Sequence, residues 1–425
     1  MTHARIASLM REALRKRNTR DIPTKFLCPN SKGMKEVYLT LSLLLLPAEA
    51  ALAQSGAGQP APAPATAAAA QAGGGDTRST YDKIWQRFST IYENPSNRVV
   101  QRIQLSGRFQ HEFAAIDADQ GDHDEWNTRR LRIGPRLALF RTFTVSAEAE
   151  LNPQERDPLY LRLTDVYVQW SRNPRLAITI GKQGMPYTMD GSTSSKELLT
   201  IDRSNLANNI WFPQEYLPGA SLSGRSAPWT YRIGAYSAGE ANRELGTFDG
   251  SVATLAVVGY DFGRRLGVKE ALLSANYVHQ SPDRDNTFTR PLEHVASINL
   301  KLEAVRWGMR SDVSAAAGYL GQRDLWALTA MPYYNATDKL QLVTRYTFID
   351  SDGPNGILLA TYENRLVRGR GDQYHELYLG ANYFFYGHKL KLQSGVQIAD
   401  MRDRANDGGA YSGASWTTGL RIGWP

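Results

Sequence analysis

Cysteine is almost missing from this sequence, which holds a single one, Cys28, in 425 residues. One thiol cannot build a disulfide framework or a cysteine-based zinc site. No apolar run of eighteen residues follows Ala53, so no membrane-spanning helix is expected beyond that point. The hydrolase motifs HExxH and GxSxG are also missing, and the histidines after Ala53 are scattered along the chain. We therefore expect no enzyme, no metal and no cofactor.

The front of the chain resembles a cleaved leader. Met34 and Lys35 precede an apolar run over residues 37–46, and Ala51-Leu52-Ala53 ends it, which is the layout of a secretory signal peptide. We expect residues 34–53 to be that signal peptide and residues 1–33 to be a non-native upstream extension. The alternative is a basic N-terminal arm, residues 15–17, that binds nucleic acid or lipid.

Most of the positive charge lies in this front segment. The whole chain has 49 Lys and Arg residues against 42 Asp and Glu residues. Residues 1–53 hold nine of the basic and four of the acidic residues, which leaves 40 against 38, a net charge of +2. Without a basic balance, no nucleic-acid partner is expected for the exported protein.

A linker and one helix are predicted next. Residues 54–79 are rich in Ala, Pro and Gly, a composition that cannot bury a core and is typical of linkers. Residues 80–94 carry apolar side chains at helical spacing, and Pro95 ends the pattern. The sequence therefore predicts a short amphipathic helix, which packs on the rim of the following domain or mediates self-association.

The period changes to two over residues 98–425. Apolar and polar residues alternate in segments of about ten residues, for example over 143–151, 340–348 and 416–424. Short and long connections alternate as well, with an acidic outer loop expected at 117–127. These patterns predict an all-β fold, a transmembrane antiparallel β-barrel of about sixteen strands with a polar lumen and both barrel termini on the periplasmic side. The segment 159–170 loses its register, which a bulge near Thr164 would restore.

The longest interruption of this pattern covers residues 183–217. Such a length is unusual for a connection, and the bulky residues Ile210, Trp211 and Phe212 indicate that it packs against something. If the flanking strands form a closed barrel, the nearest place for it to pack is the barrel's own mouth or lumen. We expect this segment to be a constriction loop that narrows the channel.

Arginines are the strongest candidates for binding residues. By alternation, a set of them on the first two strands faces the lumen: Arg102, Arg108, Arg130, Arg132 and Arg136. Guanidinium groups remain charged and bind carboxylates or phosphates in a fixed geometry, and a pore lined by them favours anions. In the other interpretation, these arginines pair with Glu112, Glu148 and Glu150 and simply fill a polar lumen.

Several stretches together are similar to a known family. They are Gly181-Lys182-Gln183, residues 193–209, Tyr216-Leu217-Pro218-Gly219, residues 229–236 and the run 129–132. Over residues 98–425 the chain resembles the phosphate-selective porin O and P family. The resemblance implies a trimeric outer-membrane barrel with an inward-folded third loop. Carried over by position, Lys182, Arg130, Arg132 and Arg136 are its anion contacts, and Arg203 is a further candidate in the long loop.

The sequence therefore predicts a porin in the outer membrane of a Gram-negative-type bacterium. We expect it to pass small hydrophilic solutes by diffusion, with anions such as phosphate preferred. The alternative is a general or sugar-conducting porin without anion selectivity. The expected partners are small anionic or polar solutes, outer-membrane lipid, lipopolysaccharide and two further copies of the chain in a homotrimer.

Overall fold

The computed structural model of this chain describes residues 79–155, 157–211, 216–238, 244–245, 251–284 and 290–424. The expected extension at 1–33, the signal peptide at 34–53 and the linker at 54–79, except for Ser79, lie outside these residues. Within the described ranges, no helix is both long enough and apolar enough to span a bilayer.

Sixteen antiparallel strands close into one barrel. A short strand, β1 (Thr90–Glu93), precedes them. The barrel strands are β2 (Val100–Ala118), β3 (Gly121–Leu139), β4 (Phe143–Leu151), β5 (Tyr160–Asn173), β6 (Leu176–Gly184), β7 (Tyr216–Ser226), β8 (Trp229–Ser237), β9 (Val252–Asp261), β10 (Glu270–Gln280), β11 (Leu292–Glu303), β12 (Trp307–Gly318), β13 (Leu325–Asn335), β14 (Leu340–Ser351), β15 (Gln373–Tyr386), β16 (Leu390–Arg402) and β17 (Tyr411–Trp424). Each pairs with the next, and β17 pairs back to β2 from Gly413↔Ala118 to Trp424↔Gly107. The predicted barrel of about sixteen strands is confirmed.

The two faces of each strand differ in polarity as the alternation predicts. On β17, Leu420 is partly exposed on the outer face whereas Arg421 is buried on the inner face. The outer surface carries exposed aliphatic side chains such as Ile180 at 59% and Leu379 at 53%. An apolar exterior around a polar interior is the arrangement that a bilayer requires of a barrel.

The predicted amphipathic helix is present and shorter than expected. Helix α1 (Thr80–Ser89) begins at Ser79, whose side chain accepts a hydrogen bond from the backbone N–H of Asp82. It ends five residues before the expected end at 94, because residues 90–93 form β1. These residues pair with positions 102–104 of β2, the edge that the shorter β17 leaves open.

A bulge restores the register of β5. Ala147 pairs with Val166 and Ala149 pairs with Leu163, so two residues of β5 lie opposite the single residue Glu148. The bulge therefore falls at positions 164–165, where the sequence predicts it. It allows Arg162, on one side of the bulge, to reach an inward carboxylate, Glu150, across the strand pair.

The prediction of an acidic outer loop at residues 117–127 is wrong. β2 and β3 each run for 19 residues and join through residues 119–120. Gly121 has a φ of +130°, a conformation that residues with a side chain rarely adopt, and it allows the tight reversal. The acidic residues therefore extend the hairpin beyond the rim instead of forming an open loop.

Short helices occur in the connections: α2 (Met189–Ser192), α3 (Asn205–Ile210), α4 (Gly263–Leu266) and a 3₁₀ helix (Glu363–Arg365). Residues 185–211 and the connection 352–372 pack together, since Asn209 exchanges hydrogen bonds with the backbone of Leu358. Their buried apolar residues, such as Ile210, Trp211 and Tyr362, join inward side chains of the strands in one cluster. The part of the barrel interior beside these two connections therefore has an apolar core.

Candidate functional site

The long connection between β6 and β7 lies against the inner wall of the barrel. We call its described residues 185–211 the inner loop; residues 212–215, including Phe212, lie outside the described part of the chain. The backbone N–H of Met189 donates to Asp312 on β12 at 2.6 Å, and Ser195 accepts hydrogen bonds from Arg108 and Gln110 on β2. The loop predicted at 183–217 is shorter at both ends, because residues 183–184 belong to β6 and residues 216–217 belong to β7.

Buried side chains of the wall bind the backbone of the inner loop. Lys391 on β16 donates to the carbonyl oxygen of Leu198 at 2.7 Å. Arg421 on β17 donates to the carbonyl oxygen of Ile201 at 3.0 Å, and Arg345 on β14 donates to that of Asp202 at 2.8 Å. Asn382 on β15 donates to that of Leu199 at 2.8 Å. The segment 198–202 is thus held through its main chain from four strands, and we call these contacts the carbonyl anchor.

Both arginines of the carbonyl anchor also form buried ion pairs. Arg345 lies 2.5 Å from the carboxylate of Glu376, and Arg421 pairs with Glu112. All four of these side chains are almost completely buried. A buried charge without a partner is strongly destabilising, so these pairs allow the cations to remain inside the barrel.

The arginines predicted from the first strands meet two acidic residues on β4. Arg108 lies 3.3 Å from Glu148, and Arg132 lies 3.0 Å from Glu150. Arg132 also donates to the hydroxyl of Tyr216 at 2.5 Å. The alternative interpretation, in which the arginines pair with glutamates, therefore describes the geometry of Arg108 and Arg132.

Positive charge nevertheless exceeds negative charge on this wall. Glu150 interacts with Arg130 and Arg162 as well as Arg132. Glu148 interacts with Lys196 of the inner loop, and Arg136 interacts with Asp165. We call this group the wall cluster: Arg108, Arg130, Arg132, Arg136, Arg162 and Lys196 with Glu148, Glu150 and Asp165. Within these nine residues, six cations against three carboxylates leave a formal surplus of three positive charges; Arg130 also interacts with Asp202, which is outside the group.

Lys196 is the cation that the inner loop contributes to the wall cluster. Its ammonium donates to the carbonyl oxygen of Trp424 at 2.5 Å. Burial and the neighbouring Arg108 together lower its pKa from 10.5 to about 8, although Glu148 raises it. The side chain therefore remains mainly protonated at neutral pH.

The other predicted site residues make their hydrogen bonds and ion pairs with residues outside the wall cluster, although Lys182 also interacts with Arg162. Arg102 pairs with Glu93 of β1 at 3.1 Å, near the rim. The ammonium of Lys182 donates to the carbonyl oxygen of Glu244, in the connection between β8 and β9. Arg203 lies 4.9 Å from the ring of Trp211 and donates to the carbonyl oxygen of Asp190, so it stabilises the fold of the inner loop itself.

Sequence reasoning missed the cations of the later strands. Arg310, Arg345, Lys391 and Arg421 all belong to the inward sets of β12, β14, β16 and β17. The alternation that selected Arg130 and Arg132 would have found them too. It could not have shown that they bind loop carbonyls, because those contacts join residues far apart in sequence.

The barrel is similar to solved outer-membrane proteins. An anion-selective porin from Comamonas acidovorans has a TM-score of 0.53 at 12% sequence identity, with 76% of this chain and 99% of that chain covered. OmpF of Salmonella typhi, in complex with daunomycin, has a TM-score of 0.55 at 12% identity, with 79% and 100% covered. The outer membrane channel DcaP of Acinetobacter baumannii has a TM-score of 0.51 at 13% identity, with 79% and 100% covered. At these identities the likeness shows the fold alone. No curated protein sequence matches the chain.

One family model matches the sequence directly. Residues 103–301 match the family described as phosphate-selective porin O and P. This range begins in β2, ends in β11 and includes the inner loop and the whole wall cluster. With the barrel fold, the match supports a porin of the Gram-negative outer membrane, a channel rather than an enzyme. The resemblance to the phosphate-selective porin O and P family is thus confirmed over residues 103–301.

Proposed function

We propose that this porin passes small hydrophilic solutes by diffusion and prefers anions such as phosphate. The observation that carries the proposal is the positive surplus of the wall cluster beside the inner loop. Its cations lie on β2, β3 and β5 and on the inner loop, so their charges act together on a solute in the lumen beside this wall.

The physical argument rests on where these charges lie. A ring of Arg or Lys side chains in a pore attracts anions and repels cations. Charges on exposed hairpins are screened over about 8 Å at physiological salt, whereas charges in a narrow channel are screened less. The surplus at the wall therefore outweighs the acidic tip of the β2–β3 hairpin, residues 117–125.

A second function is favoured by a specific observation. The ion pairs Arg108–Glu148 and Arg132–Glu150 offset part of the positive field. If these pairs dominate, the channel is a general or sugar-conducting porin without anion selectivity. Arg102 and Arg203 bind Glu93 and the backbone of Asp190, which do not belong to the wall cluster.

The assembly and its orientation belong to the same proposal. β17 ends beside the start of β2, so the two ends of the barrel lie on one rim, and we place that rim in the periplasm. The apolar outer surface would contact outer-membrane lipid, and the β2–β3 hairpin would reach lipopolysaccharide. The homotrimer follows from the family resemblance. The inner loop would act as the constriction.

The reversal potential in a salt gradient across a planar bilayer tests the charge argument. Glu150→Gln raises the formal surplus from three to four, and Arg162→Gln lowers it to two. One charge about 8 Å from a permeating ion changes its energy by about 0.2 kcal/mol after screening. Because anion and cation energies move in opposite directions, each substitution should change the chloride-to-potassium permeability ratio about twofold, in opposite directions.

Asp119→Asn is the matched control, since it also removes one negative charge but lies at the exposed hairpin tip. Its permeability ratio should equal that of the wild type. A wild-type channel that prefers cations, or two wall variants with unchanged ratios, would favour the general porin. A folded protein that conducts no ions would contradict the porin itself.

A further inference from the structure

Two histidines lie side by side on the outer face of the barrel, away from the lumen. His279 on β10 and His294 on β11 are direct cross-strand partners. Val278 and Gln280, on either side of His279, are completely buried on the inner face, so His279 belongs to the outer face. Both histidines lie at the ends of their strands that the connection 281–291 joins. The pair is therefore at a rim of the barrel, where solvent reaches it.

The geometry brings three metal-binding side chains together. The two imidazole rings are stacked with centroids 4.9 Å apart and an interplanar angle of 25°. The carboxylate of Glu293 lies 3.5 Å from Nε2 of His294. One ligand atom from each of His279, Glu293 and His294 lies within 4.8 Å of the other two. Among the described residues, it is the one group of three or more His, Cys, Asp or Glu side chains whose ligand atoms lie this close together.

The hydrogen bonding leaves the required nitrogen atoms available. Nδ1 of His279 is buried and has no hydrogen-bond partner among the described residues. Nδ1 of His294 lies 2.7 Å from the hydroxyl of Tyr277. When that nitrogen carries the proton and donates it to the tyrosine oxygen, Nε2 of His294 presents its lone pair toward Glu293. A hydrogen bond of this kind to a ligating histidine fixes its tautomer and orientation.

We propose that His279, Glu293 and His294 bind a divalent transition-metal ion of the zinc class, with Tyr277 as a positioning residue. Two imidazoles and one carboxylate are ligands that Zn²⁺ takes in proteins, and three protein ligands leave a fourth position for water. Tetrahedral ligands at about 2.1 Å from the metal lie about 3.4 Å apart. The side chains must therefore close by roughly 1.4 Å at most, which side-chain torsions can supply without moving the strands.

A metal at this place would join the two strands beside the connection 281–291. Both strands end there, and the cross-strand histidine pair is the last pair of the β10–β11 ladder. The half-exposed side chains of Glu293 and His294 leave the site open to ions in the medium. This inference does not depend on ion selectivity in the channel, since the site faces away from the lumen.

The same chain offers a matched control on another strand. Nδ1 of His375 on β15 lies 3.0 Å from the hydroxyl of Tyr346, which repeats the Tyr277–His294 contact. Asp400 lies opposite His375 on β16, but His375 belongs to no group of three metal-binding side chains among the described residues. A histidine without such a group should not hold the metal, so His375→Ala tests whether the group of three is needed.

Zinc binding to the purified full chain in detergent, without a polyhistidine tag, tests the proposal by isothermal titration calorimetry. Wild type and His375→Ala should bind one Zn²⁺ per chain with equal affinity. His279→Gln and His294→Gln should lose this binding. Tyr277→Phe should weaken it about tenfold or more, because the outer hydrogen bond is lost. Tyr346→Phe should leave it unchanged.

A second measurement protects the test against folding defects. Diethyl pyrocarbonate modifies accessible histidines, and bound Zn²⁺ should slow the modification of His279 and His294 in the wild type but leave that of His375 unchanged. The protein is modified while folded, and mass spectrometry of its peptides then measures how far each histidine has been modified. Equal binding by His279→Gln and wild type, or zinc binding that does not saturate in any variant, would overturn the proposal. A wild type in which Zn²⁺ protects neither histidine would overturn it too.

Discussion

Asn382 is the neutral member of the carbonyl anchor, and its removal should loosen the inner loop without changing any charge. Its amide nitrogen donates to the carbonyl oxygen of Leu199 and to the side chain of Gln341, both at 2.8 Å. Its amide oxygen accepts from Gln393 at 2.9 Å. Asn382→Leu keeps the branched shape and the number of heavy atoms and abolishes these three hydrogen bonds. The substitution therefore removes hydrogen bonds from the anchor without changing any charge.

The magnitude follows from these contacts. A neutral buried hydrogen bond contributes about 1 kcal/mol, and the unsatisfied partner left behind raises the cost to about 1–3 kcal/mol. Only the bond to Leu199 acts on the loop directly, so the anchor should lose about 1 to 3 kcal/mol. The population in which residues 198–202 leave the wall should then increase by a factor of about 5 to 150.

Single-channel recording and hydrogen exchange measure the population in which residues 198–202 have left the wall. We expect more frequent excursions to a higher conductance, together with faster exchange of the amides in residues 195–202. Thr329→Ala is the control, because Thr329 is equally buried on the inner face and its hydroxyl bonds only weakly to Thr347, at 3.4 Å. If Asn382→Leu folds and shows neither change, the carbonyl anchor does not hold the loop.

Two further predictions concern the 3₁₀ helix and α1. Burial raises the pKa of Glu363 from 4.5 to about 7. Because this pKa is above that of the unfolded chain, the stability that the neutral carboxyl contributes is present in acid and lost as the pH rises through about 7. Between about pH 5 and about pH 8 the melting temperature should fall more steeply in the wild type than in Glu363→Gln; equal slopes in the two proteins contradict the reasoning. Trp85→Phe removes the hydrogen bond to the carbonyl oxygen of Gly423, 2.7 Å long, and should speed tryptic cleavage after Arg87 by about fivefold, which corresponds to about 1 kcal/mol; an unchanged cleavage rate shows that α1 is held by other contacts.

Much of the barrel follows from local patterns in the sequence. The period of two determines which side chains face inward, and this is correct for Arg421 and Leu420 on β17. The break in the period at Thr164 also located the bulge correctly, because one extra residue shifts the alternation by one place. Such features depend on neighbouring residues only, which is why the sequence reveals them.

Other features depend on residues far apart in the chain. The acidic run after Asp117 has the composition of a loop, yet β2 and β3 continue through it because they pair with each other. Residues 90–93 continue a helical pattern, yet they form β1 because β17 ends early. The contacts of Arg345 and Lys391 with loop carbonyls are equally long-range. Tertiary pairing overrides local preference at each of these places.

The short strand β1 also bears on how the barrel avoids joining other chains. β2 extends toward the rim beyond Trp424, the last paired residue of β17, and its backbone there would otherwise present unpaired N–H and C=O groups. A bare strand edge is a template on which a foreign strand can add. β1 occupies positions 102–104 of that edge with a segment of the same chain. β1 thus covers the part of β2 that β17 does not reach. A chain that had lost residues 90–93 would leave this strand edge exposed to neighbouring chains during assembly.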